Sequence, residues 1–199
     1  VQKHMQNEFP NTVSYNRFLE LMQSVLLPMT MFAKTCCLGK CTGISFVDST
    51  PIQVCKSKRI SRNKVFKGIA TTGKSTIGWF HGFKLHIIIN DKGQLLSFAV
   101  TQANVDDREP LKNEGFLQNI FGKLFGDKGY ISEKLQQLLF VDGIQLITSI
   151  RNNMKNSLME MSDKILLRKR SIIETVNDEL KNICQVEHSR HRSVVNFLC

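Results

Sequence analysis

The sequence predicts an α/β fold, a mixed β-sheet flanked by helices, preceded by a short N-terminal helical segment. Three observations predict it. First, Trp79 to Asn90 alternates His81, Phe83, Leu85, Ile87 and Ile89. The turn Asn90-Asp91-Lys92-Gly93 joins it to a second strand from Gln94 to Thr101, so the two read as an antiparallel hairpin. Second, helical and strand patterns alternate after the hairpin, which places further strands in the same sheet with helices on its faces. Third, Asp163 to Cys184 is the longest helical pattern, with Ile173, Val176, Leu180 and Ile183 forming one apolar stripe.

Taken in order, residues 1–43 read as helical. Ser14 is placed to cap a helix carrying Phe18, Leu19, Met22, Val25 and Leu26, which Pro28 kinks or ends. The first strand is expected from Ile44 to Val54. Lys56 to Lys74 follows as a basic loop. After the hairpin, Asn104 to Pro110 is polar and turn-like, Leu111 to Phe121 helical, and Leu124 to Gly126 a short strand ending at Asp127. Ser132 caps a helix that ends near Gly143, and Ile144 to Ile150 is the next strand. The domain boundary is drawn at 43/44. The chain begins at Val1 and stops at Cys199 after an apolar run, so it reads as cut from a longer protein at both ends.

Lys and Arg outnumber Asp and Glu by 27 to 17, a formal net charge of +10. Such an excess favours a polyanionic partner, most simply DNA or RNA, over a small neutral ligand. An anionic membrane surface is the rival partner, but no long basic amphipathic helix supports it, and the apolar run Val25 to Phe32 is too short and too broken by Pro28 to span a bilayer. The stretch Lys56 to Lys74 holds Lys56, Lys58, Arg59, Arg62, Lys64, Lys67 and Lys74 with no acidic residue, and reads equally as a solvated loop or as a polyanion contact. Six cysteines (36, 37, 41, 55, 184 and 199) are unevenly spread, with no secretory signal, so reduced thiols in a cytoplasm are expected. A zinc site from the first four, with Cys184, His188 and His191 as added ligands, is the lesser reading, because the first cluster lacks the clean second pair of zinc modules.

Three carboxylates stand out. Asp48 ends the apolar run of Phe46-Val47-Asp48-Ser49-Thr50, Asp127 ends that of Leu124-Phe125-Gly126-Asp127, and Glu174 lies on the long helical pattern. Carboxylates that converge from separate elements are what hard divalent cations need, and two Mg²⁺ ions so held promote phosphoryl transfer. Asp106, Asp107, Asp142, Asp178 and Glu179 compete for the same role. On a regular helix Arg170, Glu174, Asp178 and Lys181 share one face, either as an ordinary charged surface or as a carboxylate flanked by phosphate-holding cations.

These motifs resemble the DDE transposases of bacterial insertion sequences, which have an RNase H-like fold. Phe46-Val47-Asp48-Ser49-Thr50 looks like the first aspartate motif and Gly126-Asp127-Lys128-Gly129-Tyr130 like the second. Arg170, Glu174 and Lys181 match the family's Arg-Glu-Lys signature, although Leu167 stands where a Tyr often opens it. Gly78 to His86, Asn104 to Arg108 and Glu187 to Ser193 are similar to the insertion-sequence family numbered nine-eight-two. The resemblance implies an RNase H-like catalytic domain over 44–199 with Asp48, Asp127 and Glu174 as catalytic metal ligands. It implies two Mg²⁺ ions, with Mn²⁺ as a substitute, and DNA as partner, both the element's terminal inverted repeats and the target. Strand cleavage at element ends followed by 3′-OH transfer is the implied reaction, carried out by a homodimer or larger assembly at the nucleoid. Arg59, Arg62, Lys64, Lys67, Lys128, Arg170 and Lys181 are the expected DNA-binding residues. An inactive remnant that binds DNA through charge, and a generic RNase H-like nuclease, remain as alternatives.

Overall fold

The computed structural model describes residues 7–76, 78–149, 159–187 and 193–198. The chain divides into two units, residues 37–189 and a smaller one of 1–36 with 190–199. In the smaller unit α1 (Tyr15–Cys36) contacts α6 (Val194–Leu198). Leu19, Met22 and Leu26 form its half-buried stripe, while Phe18 and Val25 are exposed. Pro28 lies inside α1 rather than ending it. Strong helix formers on both sides (Leu26, Leu27, Met29) carry the helix across the one missing N–H. Helix stops at Cys36, so 37–43 is not helical as expected. No helix among the described residues is long and apolar enough to cross a membrane.

The larger unit is built on a six-stranded mixed sheet. Its strands are β1 (Ile44–Cys55), β2 (Thr71–Ser75), β3 (Gly78–Asn90), β4 (Leu95–Gln102), β5 (Gly122–Gly126) and β6 (Ile144–Thr148). β3 pairs antiparallel with β1 along its length and, on its other edge, with β2 and then β4. β5 and β6 continue the sheet parallel to β1. An antiparallel meander extended by parallel strands is a mixed sheet of the expected class, compatible with an RNase H-like domain. β2 falls where the sequence reads as basic loop: its ladder to β3, rather than any apolar alternation, makes it a strand.

Alternation sorts the core into two faces. Val47, Ile88, Leu124 and Leu146 pack under α3 (Glu133–Val141) and the short α2 (Glu114–Leu117). Phe46, Ile87, Ile89, Phe125 and Ile147 face α4 (Met161–Lys169) and α5 (Ser171–Asp178). The helix expected over Leu111 to Phe121 is only a 3₁₀ turn and α2. Asn113 caps α2 by accepting from the Gly115 N–H, and Asn119 takes a left-handed φ of 65°.

The long helix expected from Asp163 to Cys184 is also divided. It breaks at Arg170, where the Ile173 N–H reaches back only to the Arg170 carbonyl, and it widens into a π-helical turn over Glu179–Ile183. The wide turn rotates Ile183 out of the apolar stripe, leaving it 75% exposed. α4 is tied to the sheet by Lys123 of β5, whose ammonium lies 2.6 Å from the buried Asp163 carboxylate. That hydrogen bond is the main cause of the raised Lys123 pKa.

Candidate active site

Phe46 of β1 lies level with Phe125 of β5, and their rings touch with centroids 5.7 Å apart. Asp48 and Asp127 each stand two residues further along these parallel strands. A two-residue step returns to the same face, so both carboxylates are directed to the side on which α5 packs. Asp127 leaves β5 as the cap of a single 3₁₀ turn, Lys128–Tyr130, its Oδ1 accepting the Gly129 N–H at 2.6 Å. A Cβ on Gly129 would stand 2.8 Å from that oxygen, so the Asp127 side chain would have to shift to admit one. Tyr130 anchors the turn in the opposite core, where burial first, and then the charges of Asp48, Asp107 and Asp127, push its phenol pKa well up.

α5 is pressed onto the sheet by Ile173, which is fully buried. It brings three polar groups to Asp48. The Arg170 guanidinium spans two carboxylates, with Nη1 3.9 Å from Asp48 Oδ1 and Nη2 3.3 Å from Glu174 Oε1. Asn177 donates from Nδ2 to Asp48 Oδ2 at 3.0 Å. Glu174 lies between them in sequence and is exposed. Burial raises the Asp48 pKa to about 6, against the lowering pull of Arg170 and of the Ser49 backbone N–H; the charges of Asp127 and Glu174 raise it further.

Among the described residues no three His, Cys, Asp or Glu side chains close on one metal position. The donor set nevertheless fits a hard divalent cation. Carboxylates from β1, the end of β5 and α5 repel one another at Asp48, and an arginine supplies the positive charge between two of them. Arg170 therefore stands where a cation would relieve the same repulsion.

The competing carboxylates are engaged elsewhere. Asp106 is held far below the usual carboxylate range by the Arg108 guanidinium, 2.6 Å away. Asp107 pairs with Lys84 at 2.9 Å. Asp178 accepts from the Asn182 amide at 2.5 Å, Asp142 is at the C-terminal end of α3, and Glu179 opens the wide turn. Lys181 pairs with Glu187 at 3.3 Å, since the wide turn takes it off the regular face shared by Arg170 and Glu174. Arg59 and Arg62 lie on an exposed 3₁₀ turn, and Lys64 and Lys67 on the exposed segment after it. Lys128 is exposed on the 3₁₀ turn beside Asp127. Cys36, Cys37 and Cys184 are exposed free thiols, while Cys41 and Cys55 are half-buried ones; His188, His191 and Cys199 lie outside the described residues.

Two features escaped the sequence reading. Asn177 had a signal, a polar residue one turn beyond Glu174 and inside the apolar side of the helix. The other feature is a polar group on the opposite sheet face, where buried His86 shares a hydrogen bond with Thr101 Oγ1 at 2.8 Å and Lys84 binds Asp107. Burial lowers the His86 pKa to about 4; Asp107 pulls it up and Lys84 pushes it down. A histidine depressed in the fold binds its proton more readily when unfolded. Its contribution to stability is complete above the ordinary value near 6.5 and is lost as pH falls from there towards 4. We expect the melting temperature of His86→Gln to rise relative to wild type as pH falls across that window; a difference between the two that stays constant in thermal melts at stepped pH would refute this.

No curated protein matches the sequence. A family model described as "Transposase DDE domain" matches residues 38–194, which takes in both strand-borne aspartates and the whole of α5. With a mixed sheet flanked by helices and that match across most of its length, the chain belongs to the DDE-domain transposases.

Proposed function

We propose that this protein cuts one DNA strand at each end of a mobile element and joins the freed 3′ end to target DNA, with Asp48, Asp127 and Glu174 as its catalytic carboxylates. The observation that carries the reading is that Asp48 on β1 and Asp127, just past the end of β5, each follow the level pair Phe46 and Phe125 by two residues, while Asn177 of the helix bearing Glu174 is hydrogen-bonded to Asp48. Two Mg²⁺ ions, for which Mn²⁺ can substitute, would activate the attacking oxygen and stabilise the leaving one. In the first step a water oxygen attacks phosphorus, the P–O3′ bond breaks, and the products are a 3′-OH on the element and a 5′-phosphate on the flank. In the second, that 3′-OH attacks a target phosphodiester and displaces the target's own 3′ oxygen.

Other residues bind and orient the DNA in this reading. Arg170 already spans two carboxylates and can exchange that partner for a phosphate oxygen, a bidentate acceptor that suits guanidinium geometry. Lys128, next to Asp127, is the other phosphate contact at this site; Lys181, turned off that face and paired with Glu187, would reach phosphate only by exchanging that partner. Arg59, Arg62, Lys64 and Lys67 are exposed in a stretch with no acidic residue between Lys56 and Lys74, suited to sequence-independent backbone contact. The N-terminal segment 1–43 stands outside the catalytic domain in this proposal.

The test is an assay with labelled duplex from the ends of the encoding element, supercoiled target plasmid and Mg²⁺ or Mn²⁺. We expect nicked duplex and a slower-migrating joined product. Nicking without joining would favour a nuclease, and binding without either product an inactive remnant.

A further inference from the structure

Asn177 is 92% buried in effect, with only 8% of its surface exposed, on the side of α5 that meets the sheet. Its neighbours on that side are apolar: Ile173 one turn earlier, and Val176 and Leu180 packed against the same core. A buried amide in such surroundings is unfavourable unless its hydrogen bonds are made. Only its Nδ2 finds a partner, Asp48 Oδ2; its Oδ1 is buried with none. A residue kept for packing alone would be better served by an apolar side chain such as leucine, with nothing to satisfy. The hydrogen bond to Asp48 is what the amide supplies that leucine would not.

Asp48 is held at both oxygens from the same helix, Oδ1 facing Arg170 and Oδ2 taking the Asn177 N–H. These two contacts differ in kind. The arginine contact is long at 3.9 Å and can be exchanged. The amide contact is shorter, 3.0 Å, and comes from a buried side chain. An amide also carries no net charge, so it orients the carboxylate without competing with a cation for it. We propose that Asn177 is a positioning residue for metal binding: it fixes the rotation of the Asp48 carboxylate so that Oδ1 stays presented to the cation when Arg170 moves away. This rests on the reading of Asp48 as a metal ligand. Partners of this kind hold ligand side chains in place, and their loss costs metal affinity rather than fold.

Asn177→Leu keeps the branched outline, adds bulk and removes the donor; Asn177→Ala removes both bulk and donor. The full chain is titrated with Mn²⁺, free ion being followed by electron paramagnetic resonance, alongside metal-free melting temperature. Both variants should bind Mn²⁺ on the order of tenfold more weakly, although their packing changes are opposite. The metal-free melting temperature reads the packing change separately, so weaker Mn²⁺ binding by both variants, whatever the direction of their melting shifts, marks the positioning role. Nicking by Asn177→Leu should recover at raised Mn²⁺, whereas nicking by Asp48→Asn should not. Wild-type Mn²⁺ affinity in Asn177→Leu, with or without a lowered melting temperature, overturns the positioning role alone. Wild-type affinity in Asp48→Asn overturns the metal-ligand reading and the role of Asn177 with it.

Discussion

Asp48→Asn is expected to reduce nicking of element-end DNA on the order of 10³-fold while leaving duplex binding intact or stronger. A carboxylate that holds a catalytic metal supports transition-state stabilisation of several kcal/mol, and about 4 kcal/mol corresponds to that factor. Asparagine keeps the shape and one carbonyl acceptor for Asn177 but removes the charge. Binding need not suffer, because a negative group near the phosphates is lost. Stability supplies the control. The Asp48 pKa is raised to about 6, so its contribution to stability is complete below the ordinary value near 3.8 and is lost as pH rises through 6. At pH 7.5 the wild type carries an ionised, largely buried carboxylate at a cost, and the variant does not. The metal-free melting temperature of Asp48→Asn should therefore equal or exceed that of wild type at pH 7.5 and converge on it near pH 4. Undiminished nicking, or a melting temperature well below wild type that accounts for the loss of activity, would remove Asp48 from the catalytic set.

Much of this arrangement was legible in short-range pattern. Phe46-Val47-Asp48 and Phe125-Gly126-Asp127 repeat the same spacing, and the parallel register sets the two phenylalanines level, so a two-residue period suffices to align the aspartates. The hairpin of β3 and β4 was equally plain, because its alternation and its turn agree. Long-range contacts decided what was not legible. β2 has no apolar alternation and exists because β3 offers it an edge. Arginine is a good helix former, so nothing local announces a break at Arg170. The break and the wide turn after Asp178 set which groups of this segment face Asp48, and they separate Lys181 from the face that regular spacing gave it. Asn177 illustrates the same limit. A polar residue within an apolar stripe can be noticed, but its partner is 129 residues away in the chain.

Gly82→Ala should damage the sheet severely. Gly82 lies where the β1–β3 register shifts between Gln53 and Cys55, and its φ is +157°. A Cβ there would stand 2.1 Å from the Ile52 carbonyl oxygen and 3.1 Å from the Val54 nitrogen, both backbone atoms of the paired strand. No side-chain rotation can relieve that contact, so β1 and β3 must separate at a point four residues beyond Asp48 on the same strand. Gly68 is the matched control. Its φ is +78°, but a Cβ there meets nothing within 4 Å. Gly68→Ala carries the backbone conformational cost alone, about 1 kcal/mol, or about 3 °C in melting temperature for a chain of this size. Gly82→Ala adds the clash with backbone and should cost about 4 kcal/mol or more, in the range reserved for severe packing faults. The expected result is a melting temperature at least about 10 °C below wild type, or loss of the folded protein, while Gly68→Ala stays soluble and close to wild type. Equal melting temperatures for the two variants would mean that β1 and β3 yield at Gly82 and that their close approach does not constrain the sheet.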